Sequence, residues 1–187
     1  MIIREFGKNS ERRMIVEIKR GYKLFEADEH GNLRALFIDK NTVMPIGEWL
    51  KAGIFPTPKF SVRPGFHIGE ICSAPWLMSA NGTYKSQRRK NWTRVWAEVE
   101  YIADNNYTEM VKNLPSKCMK DQLPLNGFYF FKEAGVGRIW IIADQMRIVR
   151  VLDENERMEI LAAMNYDEVE AFAPYKAAFE KRQRIVV

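Results

Sequence analysis

His67 stands in the string Arg63-Pro64-Gly65-Phe66-His67-Ile68-Gly69-Glu70 and is one of two histidines in the chain. Glycines on either side of it let a ligand approach the main chain closely. The same string also reads as a strand in which the imidazole bonds a neighbouring carbonyl. A second candidate is the stretch Tyr84–Arg94, which carries Lys85, Arg88, Arg89, Lys90 and Arg94 and no acidic residue. Cations interleaved with Tyr84 and Trp92 can contact phosphates and stack on bases, or grip the pyrophosphate of a dinucleotide. As a solvated loop the stretch would instead serve solubility. The third is Phe128-Tyr129-Phe130-Phe131, which as a strand puts Phe128 and Phe130 on one face and Tyr129 and Phe131 on the other. One face must be core, and the other is core or a stacking wall in a cleft.

The remaining polar residues carry weaker signals. Glu98 and Glu100 alternate with Val95, Ala97, Val99 and Tyr101 and read as solvent-facing. Glu168 and Glu170 read as first-turn acids that complement a helix dipole. His30 falls in a turn and reads as solvated. Cys72 and Cys118 lie far apart with no second ligand pair, which argues against a disulfide scaffold and a structural zinc site. No Gly-rich phosphate loop, nucleophile elbow or metal-ligand cluster is present.

The formal charge of +5 comes from 29 Lys+Arg against 24 Asp+Glu. Removing the five cations of the Tyr84–Arg94 stretch leaves 24 against 24, so the excess is local. This excludes a design with basic charge spread over the whole surface. Hydrophobic residues make up 47% and charged residues 28%, an ordinary globular composition. No window approaches the roughly 18 apolar residues of a membrane span. The N-terminus carries charge early, unlike a secretory signal. These features predict a cytoplasmic protein of a bacterium or a phage-infected host.

The elements that must position the candidates follow from periodicity. Met14–Ile18 reads as a strand. Tyr22–Ala27 and Leu33–Ile38 flank a Gly- and Asn-containing turn and predict a hairpin. Glu48–Ala52 reads as one helical turn closed by Gly53. Arg94–Tyr101 is the clearest strand, and Tyr107–Asn113 a short helix ending before Pro115. Phe128–Lys132, Arg138–Ala143 and Met146–Leu152 are three further strands. Asp153-x-x-Glu156 and Asp167-x-x-Glu170 are capping boxes that open two helices, the second kinked or shortened by Pro174. The result is an α+β chain: a mostly β domain over 1–153 and a helical appendage over 154–187 packed on it.

Tyr22–Ile38, Pro45–Leu50, Arg63–Glu70, Arg94–Glu100, Gly127–Lys132 and Met146–Leu152, taken in order, resemble domains of phages and bacterial mobile elements. These occur alone or inside large polyvalent phage proteins and are similar to remote members of the ADP-ribosyltransferase superfamily. The resemblance spans roughly residues 20 to 153. It implies a strongly bent, mostly antiparallel sheet followed by C-terminal helices, with NAD as substrate and no metal. In the His–Tyr–Glu class of that superfamily, a histidine bonds a ribose hydroxyl of NAD while nearby backbone holds the nicotinamide amide. His67 with Gly69 resembles that pair. Tyr129 matches the tyrosine that stacks on nicotinamide, and Arg63 or the Arg88/Arg89 pair would hold phosphates. The late-strand glutamate of the class falls at about Ile139. Asp144 and Gln145 are the nearest polar residues, with Gln145 the candidate third member, and Glu70 is another carboxylate.

A missing carboxylate near a developing oxocarbenium centre lowers the rate on the order of a hundredfold or more. Two expectations result. One is an ADP-ribosyltransferase-like enzyme acting on a host macromolecule. The other is a non-catalytic module that binds a nucleotide, a host protein, or nucleic acid through Lys85–Arg94.

Overall fold

The computed structural model describes residues 2–4, 16–55, 63–84, 91–132 and 139–185. In chain order these form β1 (Ile2–Arg4), β2 (Val16–Ala27), β3 (Leu33–Arg34), β4 (Trp49–Lys51) and β5 (Phe66–Ile68). A 3-10 turn at Pro75–Leu77, β6 (Thr93–Ile102), β7 (Asn105–Asn106) and α1 (Thr108–Lys112) follow. The chain closes with β8 (Gly127–Lys132), β9 (Ile139–Ala143), β10 (Gln145–Val151), α2 (Glu154–Ala163) and α3 (Glu168–Ile185). Strands dominate up to Val151 and two longer helices come after it, so the chain is α+β with C-terminal helices.

The residues group into two compact units, each drawn from three separate stretches. The first holds Met1–Lys23, Pro45–Glu70 and Glu98–Arg150. The second holds Leu24–Met44, Ile71–Ala97 and Val151–Val187. β2 and β6 run through both.

In the first unit the strands form two sheets. One has the order β1-β2-β6-β10-β4, the other β5-β9-β8-β7. The β1–β2, β4–β10, β5–β9 and β8–β9 ladders are antiparallel, whereas β7 lies parallel to β8. The three late strands predicted from alternation are therefore present. The helical turn expected at Glu48–Ala52 is instead β4, whose Leu50 pairs with the fully buried Met146. The gain from adding an edge strand to β10 outweighs the local helical signal there. Trp49 lies with its ring 5.0 Å from the Arg147 guanidinium.

Gly21 sits where β2 approaches β5. Tyr22 and Gly69 exchange backbone hydrogen bonds of 2.8 and 2.7 Å. A Cβ at position 21 would fall 2.5 Å from Ile68 Cγ2 and 2.9 Å from the Gly69 carbonyl oxygen. Gly21→Ala is expected to destabilise the fold by about 1–3 kcal/mol through overpacking against main chain. Urea unfolding measures this, and a midpoint equal to that of the parent would contradict it.

In the second unit, the end of β2 pairs with β3 as Glu26–Arg34 and Ala27–Leu33, which is the predicted hairpin. Asp28 closes its turn by accepting from the His30 and Asn32 backbone N–H groups at 3.0 and 2.9 Å. α2 opens with the predicted capping box. Asp153 accepts from the Glu156 N–H at 2.9 Å, and Glu156 accepts from the Asp153 N–H at 3.0 Å. Asp167 likewise accepts from the Glu170 N–H at 3.0 Å at the start of α3. Pro174 does not shorten α3, which runs on to Ile185. One lost backbone bond does not stop a helix that continues for three more turns.

Glu168 is not a solvated first-turn acid. It is buried and accepts from Ser73 Oγ at 2.5 Å and Tyr84 Oη at 2.7 Å, and it pairs with Arg157 at 2.8 Å. Tyr84 is thereby held within the second unit by its hydroxyl, with its ring edge-on to Trp96 and the Arg157 guanidinium 5.4 Å from its centroid. Arg94 is also buried: it donates to the Leu77 carbonyl at 2.8 Å and lies 3.8 Å from Glu26. The Arg94 side chain is therefore engaged within the second unit. Lys85, Arg88, Arg89 and Lys90 lie outside the described residues. Both cysteines are free and buried, and burial pushes the Cys72 thiol up to about 11.

Candidate functional site

The register of the β5-β9-β8 sheet sets the site. His67 pairs with Ile142, and Ile142 pairs with Tyr129. Directly paired residues share a sheet face, so His67, Ile142 and Tyr129 form one row, its ends roughly 10 Å apart at twice the strand spacing. Phe131 pairs with Trp140 in the next row on that face.

The row does not present its members equally. Tyr129 is 0% exposed in a core cluster with Val111, Leu123 and Ile142. α1 contributes Val111, and the segment after it contributes Leu114, Met119 and Leu123. Burial pushes the Tyr129 phenol up to about 12, and its hydroxyl lies near the Met119 backbone without a well-formed hydrogen bond. Its ring faces are filled by protein, which leaves no space for a stacked nicotinamide. The half-buried rings on this face are Phe131 and Trp140. The Arg63 guanidinium lies 4.0 Å from the Phe131 centroid, and the His67 and Trp140 rings lie 6.2 Å apart.

His67 is half-buried and its pKa falls to about 3. Burial is the main cause, and the positive charges of Lys23 and Arg63 add to it. The imidazole is therefore neutral at pH 7. One ring nitrogen lies towards the Arg63 backbone carbonyl, which favours a proton on it. The other, Nε2, is sealed from solvent with no hydrogen-bond partner. In this tautomer Nε2 carries a lone pair, an acceptor that lacks a donor. Lys23 donates to the His67 carbonyl at 2.9 Å, and burial lowers its pKa to about 8. Arg63 Nε is likewise buried without a partner. Two cations and an unfilled acceptor thus border an aromatic shelf.

The other sequence candidates are placed elsewhere. Gly69 uses both its backbone groups on Tyr22, so neither is open to a nicotinamide amide. Gly65 has φ of 127°, and a Cβ there would sit 2.4 Å from Ile142 Cγ2. That glycine permits the close pass of the chain just before His67. Gln145 donates to Asn126 Oδ1 at 2.6 Å, and Asn126 donates to Asp104 at 2.7 Å. Its amide is engaged in that chain rather than with His67 or Tyr129. Ile139 is an exposed apolar residue at the strand start, with no carboxylate function. Asp144 is fully buried, with Oδ1 accepting from Gln122 at 3.2 Å and Oδ2 unpartnered. Among the described residues no group of three or more His, Cys, Asp and Glu is arranged to hold a metal.

Lys23, Phe131 and Trp140 were not singled out from sequence as ligand contacts. A signal for Phe131 existed, since period two puts it on the face of Tyr129. Lys23 and Trp140 reach the site through long-range strand pairing, which leaves no local mark.

The opposite face of the same sheet borders a cavity of about 740 Å³ lined by residues that include Glu17, Glu70, Glu100, Tyr101 and Phe130. On the neighbouring sheet Glu98 and Glu100 are buried, contrary to the solvent-facing expectation. Arg20 reaches Glu98 at 2.8 Å and Glu100 at 3.6 Å, Arg150 reaches Glu98 at 3.0 Å, and Arg147 pairs with Glu100. Arginines on the two flanking strands turn an apparently polar face into a closed ion network, which alternation within one strand cannot reveal. Comparison with protein-family models, curated proteins and solved structures gives no match.

Proposed function

We propose that this chain is a nucleotide-binding module built on an ADP-ribosyltransferase-like core, and that it binds without transferring. The observation that carries the reading is the pair of half-buried rings Phe131 and Trp140, with the Arg63 guanidinium 4.0 Å from the Phe131 centroid and His67 and Lys23 beside them. His67 Nε2 is sealed and without a partner, so a ribose hydroxyl would donate to it only once the side chains that cover it move aside. Phosphate oxygens suit the two cations, and Phe131 and Trp140 suit a base or nicotinamide ring. NAD is the first ligand to test. The phage or mobile-element origin and the bacterial cytoplasm belong to the same proposal, as does a host macromolecule as partner.

Transfer chemistry requires a carboxylate beside the ribose. The superfamily position falls at Ile139, and Gln145 is held by Asn126. Glu70 follows the strand on the face away from His67. Binding therefore has support on this face that catalysis lacks.

NAD at a hundred times its dissociation constant is expected to raise stability by about 2.7 kcal/mol. Differential scanning fluorimetry reads this as a Tm shift that His67→Ala abolishes and Arg63→Ala reduces. ADP-ribose and ATP, run in parallel, show which part of the ligand is recognised. No shift with any of the three, combined with salt-sensitive binding of a single-stranded oligonucleotide, would reject the reading in favour of a nucleic-acid module. Release of nicotinamide on incubation with a protein acceptor would overturn the non-catalytic part alone.

A further inference from the structure

The cavity beside Glu70 lies on the sheet face opposite His67, and the nucleotide reading makes no use of it. Tyr101 lines it while being only 2% exposed, its ring 5.7 Å from that of Phe128. Among the described residues none hydrogen-bonds the Tyr101 hydroxyl, and that hydroxyl is not among the sealed polar atoms, so it opens on the cavity. A buried phenol facing an open space without a partner is a polar group waiting for one.

Most of the charged residues that line it are already paired. Arg20 is engaged by Glu98 and Glu100. Lys19 pairs with Glu17 at 3.3 Å, both ends nearly half exposed, a pair of little energetic weight. Glu70 is exposed and has no ion pair among the described residues. Burial, then the charges of Glu70 and Glu17, push the Tyr101 phenol up to about 12. The hydroxyl therefore stays protonated, with Glu70 and Glu17 as the charges that act on it. Phe130 adds an aromatic ring to the wall.

We infer that this cavity binds a small organic cation, an ammonium or guanidinium group on an aliphatic stem. Glu70 supplies the counter-charge, the Tyr101 oxygen accepts a hydrogen bond from the cationic head, and Phe130 lies against the stem. The unpaired Glu70 carboxylate beside the Phe130 ring gives the selectivity, because it favours a cation over an anion of the same size.

Isothermal titration with agmatine tests this, with glutarate as the anionic control. Agmatine is expected to bind and glutarate not to. Glu70→Gln is expected to weaken agmatine at least tenfold, and Tyr101→Phe severalfold, with unfolding midpoints near the parent's. A folded His67→Ala variant is expected to bind agmatine as the parent does, which separates this site from the nucleotide shelf. Absence of agmatine binding at millimolar concentration overturns the inference. So does equal binding by Glu70→Gln, equal binding of glutarate, or loss of binding in His67→Ala.

Discussion

Replacing Arg157 by methionine is expected to lower the unfolding free energy by about 3–5 kcal/mol. Arg157 is buried and its guanidinium meets Glu168 at 2.8 Å, Glu154 at 2.6 Å and the Cys72 carbonyl at 3.3 Å. Glu154 is exposed and contributes little. Glu168 is the sensitive partner, because its carboxylate is buried and would keep only the Ser73 and Tyr84 hydroxyls as donors. A buried carboxylate stripped of its cation bears the desolvation penalty alone. The urea midpoint should fall with an unchanged slope. Adding Glu168→Gln to Arg157→Met should recover part of the loss, since it removes the stranded charge. A loss under 1 kcal/mol would show that water already screens the pair.

Acid should weaken the parent protein more than its His67→Gln variant. The folded-state pKa of His67 is about 3, against an ordinary 6.5. As pH falls below 6.5 the unfolded chain takes up a proton that the folded protein refuses. Stability from this group is complete above pH 6.5 and is lost as pH falls towards 3. The difference of about 3.5 units corresponds to roughly 4–5 kcal/mol at the acid limit. Urea unfolding at pH 4 and pH 7 measures it, and His67→Gln should remove most of the slope. Lys23 supplies an internal control. Its folded-state value of about 8 lies below the ordinary 10.5, so stability should rise between pH 8 and 10.5 in both proteins. Equal acid slopes in the two proteins would show that His67 titrates normally. A phosphate-bearing ligand on the shelf should reduce the parent's slope, because an anion beside His67 restores its affinity for a proton.

Local signals predicted the local features. The turn at Asp28-Glu29-His30-Gly31-Asn32, the capping box at Asp153, the Asp167 cap, and the alternation of β6 and β8 each depend on neighbours within a few residues. These set the α+β class and most element positions. β4 was misread because its partner, β10, lies nearly a hundred residues away. Glu98, Glu100 and Glu168 were misread for the same reason: the arginines that bury them come from other strands and from α2, and the hydroxyls on Glu168 from Ser73 and Tyr84, far off in sequence. At the candidate site, the string around His67 supplied one end of the row His67–Ile142–Tyr129. The identity of the aromatic partner depended on which end of the row α1 covers. Val111 and Leu123 close over Tyr129 and leave Phe131 and Trp140 at the rim.

The chain passes between its two units five times, after Lys23, Met44, Glu70, Ala97 and Arg150. During synthesis, β2 leaves the ribosome long before its sheet neighbour β6, which starts at Thr93. At about 5–20 residues per second that interval lasts several seconds, during which β2 has only β1 and, at its end, β3 as strand partners. The second unit cannot close until the segment from Val151 onward has emerged. Folding is therefore largely post-translational, slowed by closing long loops before their contacts form. A nascent chain stalled before β10 should be sticky and readily cleaved by protease, and no simple truncation releases either unit intact.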